Sequence, residues 1–69
     1  MKQFVVAFVS MFDNEMMMKK VEAENSTTAL KKYLTEQRGY DFSNNPNLTV
    51  AEMQTIAFDS DDIVGVCEI

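Results

Sequence analysis

The 69-residue chain has no histidine and no tryptophan, one cysteine, one proline and two glycines. Histidine is the side chain most often used for general acid–base catalysis, and its absence removes the commonest proton carrier. A single cysteine excludes an intramolecular disulfide and fits a reducing compartment. The glycines, Gly39 and Gly65, stand too far apart to form a phosphate-cradling loop. No stretch approaches the ~20 apolar residues of a membrane span. The opening Met1, Lys2 and Gln3 before a short apolar run has the outline of a signal peptide, but no small-residue cleavage site follows. The reading is a cytoplasmic chain, in which the Asn-x-Thr triplets at 25–27 and 47–49 carry no meaning.

Basic residues are missing from the second half. Residues 1–38 hold all six Lys and Arg with five acids, a net +1, and residues 39–69 hold six acids and no base, a net −6. Direct nucleic-acid binding needs clustered Lys and Arg and is disfavoured. An acidic face suits a basic partner, because charge complementarity speeds encounter and selects partners. Solubility is the other account of the same charge. DNA mimicry would need more and better-spaced acids than these.

What is present is organised around residues 2–23. Phe4, Val5, Val6, Ala7, Phe8 and Val9 form an apolar run rich in β-branched and aromatic residues, suited to a strand. Phe12, Asp13, Asn14 and Glu15 break it with turn formers, and Asn tolerates the left-handed conformation of a tight hairpin. Residues 16–23 return as a second strand. The first strand is apolar on both faces, with Phe4, Val6 and Phe8 on one and Val5, Ala7 and Val9 on the other. A strand with water on one side normally alternates apolar and polar residues. Both faces are therefore expected to be covered, the second by a partner or another copy, or by a loop over a central strand.

Asn25 or Ser26 is placed to cap a helix whose apolar stripe is Ala29, Leu30, Tyr33 and Leu34. Arg38 suits its negative end, and Gly39 can end it in the left-handed region. Ser43, Asn44, Asn45, Pro46 and Asn47 read as a loop anchored by Tyr40 and Phe42. Thr49 and Glu52 form a capping-box signature with Leu48 and Met53 as its staple. The second helix presents Val50, Met53, Ile56 and Ala57 and ends near Phe58.

Asp59, Ser60, Asp61 and Asp62 make an acidic turn. It does not match a calcium loop, whose sixth position, a glycine, is Val64 here. Residues 63–69 form a last strand beside the first. Cys67, with no histidine or nearby base to activate it, reads as a buried inert thiol. The fold class is α+β in the order β-β-α-α-β, one domain with a three-stranded, mainly antiparallel sheet and two helices on one face. No motif names a reaction, metal or cofactor, and the expectation is a binding protein rather than an enzyme. Met11, Phe12, Met16, Met17 and Met18 crowd the hairpin turn, more large apolar residues than a core can absorb there. Exposed, such a cluster marks an interaction site, and methionine adapts to a partner's surface.

Phe8, Phe12, Asn14, Glu15, Met17 and Lys20 stand at spacings that resemble the start of the Dmd family, small antitoxins of T-even phages that block host RNase toxins. The closing Val66, Cys67, Glu68 and Ile69 are similar to the family's Val-Cys-Glu-Val. The resemblance covers roughly the first 20 residues and the last few, and not residues 25–48. It implies a phage-encoded inhibitor, acting in the host cytoplasm, that obstructs the active site of a basic ribonuclease toxin. The candidate contact residues are then Phe12, Asp13, Asn14, Glu15, Met16, Met17 and Met18 of the hairpin with Asp59, Asp61 and Asp62 of the acidic turn. The alternative is a self-assembling module that pairs copies through the first strand, with a small-ligand site between them.

Overall fold

The computed structural model describes residues 1–45 and 47–69. The expected loop at 43–47 includes Pro46, which lies outside the described residues. Five elements follow in the anticipated order: β1 Lys2–Ser10, β2 Glu15–Ala23, α1 Ser26–Arg38, α2 Val50–Asp59 and β3 Asp62–Glu68. The sheet order is β2-β1-β3, and both pairings are antiparallel. The apolar first strand is thus the central one.

Local chemistry accounts for each boundary. Asn14 closes the β1–β2 turn at φ 56°, the left-handed conformation that its short polar side chain tolerates. The Asn25 side chain accepts the Thr28 N–H at 2.8 Å and starts α1. Gly39, at φ 72°, ends it. Thr49 and Glu52 form the full reciprocal capping box of α2.

Both helices lie on the face of Phe4, Val6 and Phe8. These three are buried together with Ala29, Leu30, Tyr33 and Leu34 of α1, Met53 and Ala57 of α2, and Val64 of β3. The Phe8 and Tyr33 rings meet at 6.0 Å, and the Arg38 guanidinium sits 4.4 Å from the Phe8 ring centroid, closing the core with a cation–π contact. Of the two expected loop anchors, Phe42 is buried and Tyr40 is partly buried against the core, and Leu48 is buried too.

Two expectations need correction, and of the two ways offered for covering the second face of the first strand one, the loop, falls away. Ile56 lies at the surface, and the buried side of α2 is made by Met53 and Ala57 with Val50 partly covered. Cys67 is exposed, because its register with Val5 puts it on the face opposite the helices. That opposite face is not covered by any loop or helix among the described residues: Val5 and Val9 are half-buried and Ala7 is exposed.

Candidate protein-interaction surface

The register fixes what the open face presents. Across the sheet run Met16, Val9 and Ile63, then Met18, Ala7 and Gly65, then Lys20, Val5 and Cys67. The first two rows are wholly apolar. The middle row has only small residues on two of its strands, and a Cβ added at Gly65 would meet nothing within 4 Å. The row is therefore a shallow saddle between bulkier rows.

The same register brings together two segments far apart in sequence. Ser10 pairs with Glu15 on one side and with Asp62 on the other, so the hairpin turn and the acidic turn share one end of the sheet. The Met11 N–H donates to the Asp61 carbonyl at 3.0 Å and joins the two turns directly. Ser10, buried between them, accepts the Asp13 N–H at 3.3 Å and donates to the Asp13 carboxylate at 3.4 Å, which holds the hairpin loop in shape.

Of the expected contact residues, Phe12, Asp13, Asn14, Glu15, Met16, Met18, Asp59 and Asp61 are exposed at this end or on the adjoining open face. Phe12 is 85% exposed and Met16 80%, far more than large apolar side chains on a packed domain normally show. Met17 pairs with Phe8 and points to the helix side, half-buried. Asp62 also departs from expectation. It begins β3, is 8% exposed, and accepts the Tyr40 hydroxyl at 2.6 Å. Its carboxylate therefore anchors the segment after α1 and is not presented to a partner. Burial, the Asp62 hydrogen bond and the Asp62 charge together push the Tyr40 phenol up to about 12.

Sequence reasoning missed Phe58 and Ile63, both exposed and large, beside the acidic turn. Phe58 lay in the helix it was expected to end, and Ile63 looked like ordinary strand. A cleft of about 240 Å³ lined by Val9, Met11, Asn14, Glu15 and Met16 opens at the hairpin end. It is smaller than the ~300–1,000 Å³ of typical small-molecule sites and suits an inserted side chain.

Among the described residues, no group of three or more Cys, Asp or Glu side chains stands close enough to hold a metal ion, and no helix is long and apolar enough to cross a membrane. The chain matches no protein-family model, no curated protein and no solved structure.

Proposed function

We propose that this protein is a small inhibitory binding protein that docks on a basic host protein, an RNase toxin of a toxin–antitoxin system, and obstructs its active site. The observation that carries the reading is the junction of the two turns through Met11 and Asp61, which sets exposed apolar anchors beside exposed carboxylates at one end of one sheet. Interfaces draw most of their energy from a few large anchors, and Phe12 with Met16 supplies them. A ribonuclease groove is basic because it holds phosphates, and Asp13, Glu15, Asp59 and Asp61 are placed to enter it in their stead. The partial resemblance to phage antitoxins points to the same class of partner.

The test is RNA cleavage by purified RNase toxins of bacterial toxin–antitoxin pairs, with and without equimolar protein, alongside sizing of the mixture. Stoichiometric inhibition with a co-eluting complex supports the proposal, and inhibition should fail for Phe12→Ala. Unimpaired cleavage by every toxin tried, with no complex formed, would remove it.

The second reading is self-assembly. It is favoured by one observation, the uncovered apolar rows of Met16, Val9, Ile63 and Met18, Ala7, Gly65. Two such faces can pack as a sandwich. It requires a tight oligomer in solution, whereas an inhibitor is a monomer or weak dimer, so the mass of the isolated protein separates the two.

A further inference from the structure

Three lysines of this acidic chain stand together with little to balance them. Among the other bases, Lys2 is paired with Glu68 at 3.8 Å and Arg38 lies over the Phe8 ring. Lys19, Lys20 and Lys32 line one cleft of about 220 Å³ between β2 and α1, together with Tyr33, Glu36 and Gln37. None of the three lysines makes an ion pair, although Glu36 stands one helical turn from Lys32. Three ammonium groups against one carboxylate leave the lining at +2, in a chain whose net charge is −5.

The floor of the cleft is Tyr33. Its ring packs on Phe8 at 6.0 Å and the residue is only 3% exposed, yet its hydroxyl makes no hydrogen bond within the protein. Polar groups so nearly buried are normally paired. Among the described residues no fully enclosed side-chain polar atom lacks a partner, so the part of Tyr33 left open is its hydroxyl, in the cleft that the residue lines. Burial raises this phenol against a smaller opposing effect of Arg38, so it stays a donor at neutral pH. Lys19 pairs with Val6 in the ladder and therefore starts on the helix side, toward the same floor. Lys32 and Gln37 bring donors from α1, and Lys20, which starts on the open face, adds its charge from the rim.

We propose that this cleft binds the phosphate group of a small molecule, with Lys19, Lys32, Tyr33 and Gln37 as its donors. Charge and chemistry select that occupant. A phosphate monoester carries about two negative charges at neutral pH and three acceptor oxygens, which match the +2 lining and its donors on both β2 and α1. A lone carboxylate has one charge and two oxygens and would leave part of the lining unanswered. A nucleic-acid strand is disfavoured by the neighbours. Glu15 and Glu22, both exposed, stand on β2 on either side of the two lysines, so a line of phosphates along this edge meets carboxylates in both directions. A cleft of about 220 Å³ is smaller than typical drug-sized sites and suits the phosphate end of a ligand. It shares no lining residue with the cleft at the hairpin end, so this ligand is independent of the inhibitor reading.

The experiment titrates the isotope-labelled protein, followed by NMR, with inorganic phosphate, adenosine monophosphate, adenosine, acetate and a short single-stranded RNA, at one ionic strength held with sodium chloride. The expected result is saturable shifts at the amides of Lys19, Lys20, Tyr33, Glu36 and Gln37 with phosphate and with the monophosphate, and none with adenosine. Tighter binding by the monophosphate assigns the site to a phosphate ester, and equal binding assigns it to free phosphate. The double variant Lys19→Gln, Lys32→Gln should bind roughly tenfold or more weakly, and Tyr33→Phe, which keeps the ring on Phe8, several-fold more weakly. Both lysines are exposed and the hydroxyl has no partner, so the melting temperatures of these variants should stay close to that of the wild type. Shifts that fail to saturate, acetate binding as tightly as phosphate, RNA binding more tightly than the monophosphate, or affinities unchanged in both variants would overturn the proposal.

Discussion

Tyr40 and Asp62 are 22 residues apart in sequence and 2.6 Å apart in space. Their bond ties the segment after α1 to the start of β3. Replacing Tyr40 by Phe leaves a mostly buried carboxylate without its donor, a loss of about 1–3 kcal/mol that chemical denaturation would measure. The same pair sets an alkaline limit. The phenol is raised from its ordinary 10.0 to about 12. A group whose folded value lies above its unfolded one keeps its stabilising effect below the unfolded value and loses it as pH rises through the folded one. Stability should therefore fall between pH 10 and about 12. Burial raises the Tyr33 phenol as well, with the same sign, against a smaller opposing effect of Arg38. The difference between wild type and Tyr40→Phe across this window isolates Tyr40, and denaturation midpoints that run parallel for the two would contradict the account. Phe12 is the opposite case. With 85% of its surface exposed it does little for the fold. Phe12→Ala should leave the melting temperature within a degree or so while weakening partner binding by about 2 kcal/mol or more, as for an interface anchor. Calorimetry of folding and of binding on the same variant would show the separation.

At the scale of elements, the parts written in local chemistry were legible in the sequence. The Asn14 turn, the Asn25 cap, Gly39 and the Thr49–Glu52 capping box each involve residues within a few positions of one another, and each stands where the spacing placed it. Thr49→Ala should cost about 1 kcal/mol, the usual worth of such a cap, readable from thermal unfolding. The facing of the strands was not legible. Residues 4–9 are apolar at odd and even positions alike, and so are residues 63–67 but for Gly65, so no alternation says which set turns to the helices. The expectation of a buried Cys67 rests on its lack of an activating base, and the strand pattern holds nothing to correct it; Met17 belongs with Met16 and Met18 only by crowding at the turn. The Tyr40–Asp62 bond left no trace for a related reason, since its partners belong to segments that meet only after the sheet has formed. The open face lends itself to a test of its own. Gly65 has free space where a side chain would go and no positive φ. Gly65→Val should raise stability by up to about 1 kcal/mol, since glycine weakens a strand interior. It should also fill the saddle between the bulkier rows and weaken any partner seated there. A variant that is more stable and binds as tightly would exclude the middle of the face from the interface.

The whole molecule is electrically divided, and the division follows the fold. Lys19, Lys20 and Lys32 gather at the β2 edge, around a cleft that also takes in Tyr33 and Glu36 of α1. Asp59 and Asp61 stand at the hairpin end with Asp13 and Glu15, at the start of the β3 edge. Under the proposed function, this arrangement would bring the acidic end and its apolar anchors first to a basic surface, with Lys19, Lys20 and Lys32 turned aside. Long-range attraction of that kind acts on the rate of encounter and is screened by salt, with a Debye length of about 8 Å at physiological ionic strength. Reversing Asp59 and Asp61 to Lys should therefore slow association by roughly tenfold or more at low salt, shrink the difference as salt rises, and leave the dissociation rate changed far less. Neither carboxylate is buried, so the fold should tolerate the change. Phe12→Ala should show the converse pattern, faster dissociation with little change in the salt dependence, because a desolvated anchor holds the complex after it has formed. Stopped-flow association at several salt concentrations distinguishes the two. If both variants altered only dissociation, the carboxylates would be contacts within the interface rather than a steering field. If neither altered either rate, the end of the sheet formed by the two turns would not be the surface that meets the partner.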